Sequence, residues 1–306
     1  MKKNMSNLYC FKLIAVPLLA AVVLLVSSCC PVFRHSHPAK PFGPAIGVCT
    51  SVSKGGTLDA AGYEYVEEGV QRFLIPNQPE DKFLENYQKL QAAPLPILAC
   101  NGFLPGSLKS VGPDPKHDEI LTFAETAFRR AKISGIKFIV FGSSGSRSIP
   151  KGFDVPKAKQ QFVSLLKKMG PIAGKYGVVV VVEPLNRSET NFINSLADGA
   201  EIVRLVDHPN VRLLADIYHM LRENEPADEI IKAGEYLRHC HIAENKDRGA
   251  PGAANEDFTP YFAALKKIGY TGAISVECRW RNFDEEAPVA IDYLKQQIMV
   301  VNMKAN

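Results

Sequence analysis

The stretch 178-VVVVVEPLNRSE-189 joins five consecutive valines to a glutamate, Glu183, and then to a turn-rich segment. A short apolar run of β-branched residues predicts a strand that is buried on both faces, as in a parallel sheet. Active sites of parallel α/β folds lie where such strands end and their loops begin. A carboxylate at this point is costly to bury alone, so we expect Glu183 to meet a cation or a hydrogen-bond network.

Three further apolar runs end in a side chain that can hold a metal ion. VRLLA leads to Asp216, YLRHC leads to His241 and TGAISV leads to Glu277. Because the carboxyl ends of parallel strands meet at one edge, we expect these side chains to converge with Glu183. Two Glu, one Asp and one His at that edge predict a divalent metal site with acid/base groups built in, and therefore an enzyme.

Short apolar runs alternate with helical periodicity from residue 45 onward. Eight strand-like segments occur at 46–50, 65–68, 96–100, 137–141, 178–183, 211–216, 237–241 and 272–277. Helical spacing covers 80–92, 117–134, 156–176, 195–206, 227–233, 259–268 and 285–300, with a short first crossover at 54–61. This order and a length of about 255 residues predict an α/β fold, the (β/α)₈ TIM barrel. An open doubly wound sheet is the alternative, but the first turn lacks the G-x-G-x-x-G pattern.

The first 28 residues have the composition of a targeting segment. Lys2, Lys3 and Lys12 accompany an apolar stretch at 13–26, which is followed by Ser27-Ser28-Cys29. This pattern predicts a secretory signal peptide over 1–28, and its end resembles the lipobox of bacterial lipoproteins, with Cys29 as the lipidated residue. A plain signal peptide or a single anchoring helix are the alternatives, although a spanning helix needs roughly 20 apolar residues.

The remainder of the chain divides into a tether and one domain. Residues 29–44 are rich in Pro and His and are expected to form a flexible tether, and 45–306 a single barrel domain. Export and acylation would anchor this domain in the bacterial cell envelope, on the periplasmic side or at an outer membrane. Without the leader, 33 basic residues face 32 acidic ones, so no charge excess argues for nucleic acid.

Further candidate site residues lie beside the strand ends. Glu189 could bond substrate hydroxyls or be a solvated loop acid. Asp216 and His219 form a D-x-x-H, in which the aspartate could also cap a helix and the histidine could be packed in the core. Arg248 lies in DRGAPG, a loop that either presents its guanidinium to substrate oxygens or exposes it to solvent.

Four motifs in this order resemble the xylose-isomerase-like TIM-barrel superfamily. They are EPLNRSE, the D-x-x-H, HIAEN with the following RGAPG, and the SVEC ending. The nearest branch is that of sugar isomerases and epimerases, which holds ketose 3-epimerases and hydroxypyruvate isomerase. The resemblance covers residues 45–300.

The resemblance implies a metal site and a sugar site. One divalent ion, Mn²⁺ first with Mg²⁺ or Co²⁺ as alternatives, is expected on Glu183, Asp216, His241 and Glu277. The two glutamates are also expected to act as catalytic acid and base. Glu189, His219 and Arg248 are expected to bind substrate. Arg248 departs from the family pattern, because it lies one position later and Asp247 takes the expected place.

These features favour an exported, metal-dependent carbohydrate isomerase or epimerase. Its reaction would remove a proton next to a carbonyl and pass through an enediolate. A lyase of 3-keto-glycosides and a non-catalytic sugar-binding lipoprotein are the alternatives. DNA-repair endonucleases share the barrel but take histidine ligands from early strands, and residues 38–116 contain no histidine. The expected partners are a small carbohydrate and the membrane, and assembly into a homo-oligomer stays open.

Overall fold

The computed structural model of the protein describes residues 41–304. The predicted signal peptide 1–28, the lipid attachment site Cys29 and most of the predicted tether 29–44 lie outside the described residues. Within 41–304, no helix combines the length and the apolar character that a membrane span requires.

Eight parallel strands close into one barrel in chain order, which confirms the predicted (β/α)₈ TIM barrel. The first strand pairs with the last, and Ile46 stands opposite Ile274. The strands are β1 (Ala45–Cys49), β2 (Tyr65–Gly69), β3 (Ile97–Asn101), β4 (Phe138–Phe141), β5 (Val179–Val182), β6 (Val211–Asp216), β7 (Leu237–Ile242) and β8 (Ala273–Val276).

Helices connect the strands and pack against one another outside the barrel. They are α1 (Gly55–Ala61), α2 (Glu80–Gln91), α3 (His117–Ser134), α4 (Ser144–Arg147), α5 (Val155–Tyr176), α6 (Leu196–Val206), α7 (Ile217–Arg222), α8 (Asp228–Ala233), α9 (Thr259–Lys267) and α10 (Phe283–Met303). The longest of them, α5, begins where the sequence indicates, because Asp154 Oδ1 accepts the Lys157 N–H at 2.7 Å. It ends at Gly177, whose φ of 69° lies in the left-handed region that glycine adopts easily.

Two strand ends differ from the prediction at functional positions. β5 ends at Val182 and β8 ends at Val276, so Glu183 and Glu277 each lie one residue beyond their strand. Their backbones stay attached to the barrel, because the Glu277 N–H donates to the Ile242 carbonyl at 3.0 Å. Each glutamate is therefore held in place by the sheet, although neither belongs to a strand.

The barrel interior is apolar only on the side formed by β4, β5 and β6. Val140, Val181 and Leu214 form a small buried cluster on β4, β5 and β6, and Phe138 packs against it. A much larger apolar cluster packs between the strands and the helices. Burial of each such side chain contributes about 1.5–3 kcal/mol, so these two clusters supply the main driving force for the fold.

The other side of the barrel interior is polar and fully buried. Tyr65, Glu67, His239 and Ser275 come from β2, β7 and β8, and each is at most 2% exposed. Gly47 on β1 makes room for them, because a Cβ at this position would lie 2.3 Å from the Tyr65 ring. Buried polar groups need hydrogen-bond partners, and most of these find them in one another, although His239 Nδ1 has none within residues 41–304.

Candidate active site and metal centre

The four strand-end side chains that the sequence predicts to converge do lie together at the carboxyl end of the barrel. One oxygen or nitrogen from each lies within 4.8 Å of the others, in the group Glu183, Asp216, His241 and Glu277. His241 is fully buried, whereas the Glu277 side chain is 24% exposed. The group therefore opens to solvent on the Glu277 side.

The His241 imidazole lies at the centre of the group. Its Nδ1 is 3.0 Å from Glu183 Oε1 and 3.1 Å from Glu277 Oε2. Its other nitrogen, Nε2, points into the barrel and lies 2.9 Å from Glu67 Oε1. One ring nitrogen thus faces the candidate metal site while the other is held by a carboxylate below it.

The two carboxylate oxygens of Asp216 have different roles, one in a helix cap and the other at the site. Oδ1 accepts the Tyr218 N–H at 2.8 Å and so caps α7. Oδ2 lies 3.5 Å from Arg248 Nη2 and 3.4 Å from His219 Nε2. The helix cap fixes the carboxylate, so that its second oxygen is presented to the other ligands.

Burial and neighbouring charges displace the pKa values of the two glutamates in opposite directions. Burial raises the pKa of Glu183, and the negative charges of Glu277 and Asp216 add to this effect. Burial acts the same way on Glu277, but the charges of His241 and Arg248 outweigh it and lower its pKa to about 2. The two carboxyl groups therefore have different electrostatic surroundings.

The donor set fits a hard or borderline divalent ion. Three carboxylates and one imidazole make an oxygen-rich site of the kind that Mn²⁺, Mg²⁺ and Co²⁺ accept. Cys49 Sγ lies close to His241 and Glu67 but is not one of these four donors. The crowding of three carboxylates around one point also favours a cation there, beyond the positive charge that Arg248 already brings to Asp216 and Glu277.

Arg248 reaches the site in spite of its shifted position in the sequence. Its Nη2 lies 2.5 Å from Glu277 Oε2, and its Nη1 lies 3.6 Å from Glu189 Oε1. Asp247 and Arg248 both have positive φ angles, of 59° and 51°, and this paired turn directs the guanidinium inward. Asp247, in the position where the family pattern expects the arginine, lies mostly in solvent and 3.7 Å from Arg281.

His219 and Glu189 border the same site and share a partner, Asn186. The Asn186 backbone N–H donates to His219 Nδ1 at 3.2 Å, so the neutral ring carries its proton on Nε2, toward Asp216. The Asn186 side chain lies 3.2 Å from Glu189 Oε1. The structure therefore brings all seven sequence-predicted site residues of the barrel together.

Sequence reasoning missed Glu67 and Asn186 as parts of the site. Glu67 stands in YVEEG, where its period-2 relation to Tyr65 was the available signal for an inward direction. Asn186 stands inside EPLNRSE, the segment that supplies Glu183 and Glu189. Its position in that turn brings both its backbone and its side chain to His219.

A cavity of about 440 Å³ opens beside Glu277. It is lined by Cys49, Thr50, Ser51, Ser53, Lys54, Arg72, Asn101 and Glu277. Its volume falls within the range of about 300–1,000 Å³ typical of small-molecule sites. Asn101 joins the cavity to the site, because its Nδ2 donates to Glu277 Oε1 at 2.9 Å. Another cavity, lined by residues of α2, α3 and the start of β3, lies away from these groups.

A buried arginine lies next to Glu183. Arg147 is fully buried, and its Nη1 donates to the Phe141 carbonyl at 3.2 Å, the same carbonyl that the Glu183 N–H approaches. Burial lowers its pKa to about 10, although Glu183 and Glu189 act in the opposite direction. The loop after β4 therefore places a positive charge near the carboxylates and not in solvent.

A family model described as xylose isomerase-like TIM barrel matches residues 57–297. The chain belongs to this family. It is similar to L-ribulose 3-epimerase of Methylomonas, with 28% identity over 258 residues, which span 78% of this chain and 88% of the relative. It is also similar to 3-dehydro-D-guloside 4-epimerase of Escherichia coli, with 35% identity over 120 residues, or 39% of this chain and 45% of that relative.

The fold is likewise that of a solved epimerase. The structure of D-psicose 3-epimerase from Clostridium cellulolyticum with D-tagatose superposes with a TM-score of 0.74 at 21% identity. The superposition covers 83% of this chain and 99% of that chain. These relatives of the barrel are epimerases, which belong to the isomerase class.

Gly142 leaves no room for a side chain next to Glu183, because a Cβ there would lie 2.0 Å from Glu183 Oε2. We predict that Gly142→Ala displaces this carboxylate and weakens Mn²⁺ binding by about 10-fold or more, as loss of ligand orientation typically does. Titration calorimetry on the purified protein measures the dissociation constant.

Gly56→Ala is the matched control, because a Cβ at this exposed helical position meets nothing within 4 Å. It should bind Mn²⁺ like the parent protein. A folded Gly142→Ala protein with the parental affinity would contradict the role of Glu183 as a ligand.

Proposed function

We propose that this protein is a metal-dependent carbohydrate epimerase or isomerase that acts on the carbon next to a ketose or keto-glycoside carbonyl. One observation carries the proposal: two glutamate carboxylates approach the same His241 nitrogen, at 3.0 and 3.1 Å. Two carboxylates around one point can remove a proton from one side of a substrate and return it from the other. The similarity to 3-epimerases and a 4-epimerase supports this class of reaction.

The positions of the two carboxylates suit the two halves of the reaction. A divalent ion on the four ligands would polarise the carbonyl and acidify the neighbouring C–H bond. Either glutamate in its ionised form can take the proton, because both carboxylates approach the same point, at His241 Nδ1. The second glutamate then returns a proton to the intermediate. Return to the opposite face gives an epimer, whereas return at the neighbouring carbon gives an isomer.

The neighbouring polar groups are arranged to orient a polyhydroxylated substrate. His219 carries its proton on Nε2, so it can donate to a substrate oxygen near Asp216. Glu189 can accept from a substrate hydroxyl, and its side chain is 36% exposed. Arg248 lies between Glu189 and Glu277 and can balance negative charge that develops on the enediolate.

A 3-keto-glycoside lyase is a second candidate on the same groups. It is favoured by the similarity to an epimerase of a 3-dehydro-guloside, which is an oxidised glycoside. The same proton removal would then be followed by loss of the aglycone in place of reprotonation. Release of the aglycone from a chromogenic 3-keto-glycoside distinguishes the lyase from the epimerase, in which the glycoside stays intact.

Substitution of either glutamate should abolish turnover without unfolding the protein. We predict that Glu183→Gln and Glu277→Gln each lower the rate by about 10²–10⁴-fold, because each removes one proton-transfer group. The Mn²⁺-loaded protein is incubated in D₂O with ketoses and 3-keto-glycosides. Deuterium entry at the carbon next to the carbonyl is followed by NMR.

Glu285→Gln is the control for this experiment, because Glu285 is an exposed residue in the first turn of α10. It should exchange deuterium at the parental rate. If either active-site variant keeps the parental rate while folded, the two-carboxylate mechanism is wrong.

We also propose that the protein is exported and held in the cell envelope by a lipid on Cys29. The basic residues, the apolar segment and the small residues before Cys29 support this proposal. Free sugars or oxidised glycosides suit that compartment better than sugar phosphates, because phosphorylated intermediates are retained in the cytoplasm.

The anchor is tested by substitution of the attachment residue. In a bacterial host fed with labelled fatty acid, the parent should incorporate the label and sediment with membranes, whereas Cys29→Ser should not be labelled. Equal labelling of both proteins would exclude Cys29 as the acylated residue.

A further inference from the structure

The imidazole of His241 has a partner on the side away from the carboxylate group. Its Nε2 lies 2.9 Å from Glu67 Oε1, and both side chains are fully buried. A carboxylate can only accept, so the proton of this hydrogen bond belongs to His241 Nε2. An imidazole that binds a metal ion is neutral, so with its proton on Nε2 it has its lone pair on Nδ1, the nitrogen that faces Glu183 and Glu277.

Glu67 is itself held by a set of donors inside the barrel. Its Oε2 accepts from Ser275 Oγ at 2.7 Å and lies 2.7 Å from His239 Nε2. The ring of His239 stacks on Phe138, with an interplanar angle of 13°, and Tyr65 OH lies 2.9 Å from Ser275 Oγ. All of these contacts are buried, so the Glu67 carboxylate has little freedom to turn away from His241.

The adjacent carboxylate, Glu68, serves a different part of the structure. It is 2% exposed, and its Oε2 accepts the Val52 N–H at 2.7 Å. Its other oxygen accepts the Gly69 N–H and pairs with Arg72. Two neighbouring glutamates of one strand thus point to opposite sides, and only Glu67 contacts a member of the candidate metal group.

We propose that Glu67 is a positioning residue for the metal centre, which fixes His241 in the tautomer that offers Nδ1 to a divalent ion. This inference rests on the proposed function, because it assigns a role to Glu67 only if the four ligands hold a metal. Partners that fix the tautomer of a metal-binding histidine typically change the affinity for the metal by 10–100-fold, an order of magnitude or more.

Glu67→Gln tests this role with almost no change in volume. The amide can turn its NH₂ group toward His241 Nε2. That nitrogen would then have to accept the hydrogen bond, and the ring proton would lie on Nδ1. Titration of the purified protein with MnCl₂ should give a dissociation constant about 10–100-fold higher than that of the parent. Nitrogen-15 NMR of histidine-labelled protein with MgCl₂ should show Nδ1–H signal for His241 in the variant and Nε2–H in the parent.

Two further variants separate position from charge and from general stability. Glu68→Gln removes the neighbouring carboxylate, and it should leave both the Mn²⁺ affinity and the His241 tautomer unchanged. Glu67→Asp keeps the charge but withdraws the carboxylate by one methylene, and it should weaken Mn²⁺ binding as Glu67→Gln does. Thermal unfolding of each variant shows that the comparison is made on folded protein.

The outcomes distinguish this inference from the proposed function. If the parent binds Mn²⁺ and both Glu67 variants bind it equally well with the same tautomer, Glu67 has no positioning role. Full affinity in Glu67→Asp alone would show that charge and not position matters, which also overturns the inference. A parent that binds no divalent ion would overturn the metal centre itself, and the role of Glu67 with it.

Discussion

The arrangement of the site is governed by the repulsion between three carboxylates that the barrel forces together. Glu183, Asp216 and Glu277 each bring an oxygen within 4.8 Å of the others. Each pair of like charges at such a distance costs about 3–4 kcal/mol if the effective dielectric constant is roughly 20. The backbone cannot relieve this cost by moving, because strand ends, a helix cap and neighbouring carbonyls hold all three residues. The site therefore requires positive charge at its centre.

The chain supplies part of that charge itself. Arg248 contacts Glu277 and lies close to Asp216 and Glu189, and its guanidinium also lies over the Tyr218 ring. Arg147 adds a buried guanidinium, which donates to the Phe141 carbonyl and feels the charge of Glu183. Both are placed by the local backbone, Arg248 through its positive φ and Arg147 through the short helix α4. A divalent ion would complete the balance at the point where the carboxylates meet.

The polar side of the barrel interior connects the fold to this chemistry. Glu67, Ser275 and His239 fill space that apolar side chains occupy on the opposite side. A buried polar network is stable only if its members satisfy one another, and Gly47 provides the room that the Tyr65 ring needs for this. The network ends at His241. The packing of the barrel interior therefore also holds the His241 ring in its orientation at the site.

The sequence predicts the barrel well because eight apolar runs and their crossovers have an unambiguous order. The strand-end residues were accessible for the same reason, since a charged residue directly after a buried apolar run lies where the strand meets its loop. Glu67 was harder to assign, because its period-2 relation to Tyr65 shows that the two side chains share a face of β2, but not that this face points inward until the register with β1 and β3 is known. The direction of the Arg248 side chain could not be predicted, because the motif DRGAPG does not show that Asp247 and Arg248 both adopt a left-handed backbone conformation.

The central claim is that Glu183, Asp216, His241 and Glu277 hold one divalent ion. Elemental analysis of the purified protein, beside a Glu183→Ala/His241→Ala double variant, tests it most directly. We expect about one equivalent of manganese or a similar divalent ion in the parent, and its loss from a double variant that remains folded. A parent that carries no metal and takes up none when divalent ions are added would contradict the account. Such a result would favour a sugar-binding protein on the same barrel.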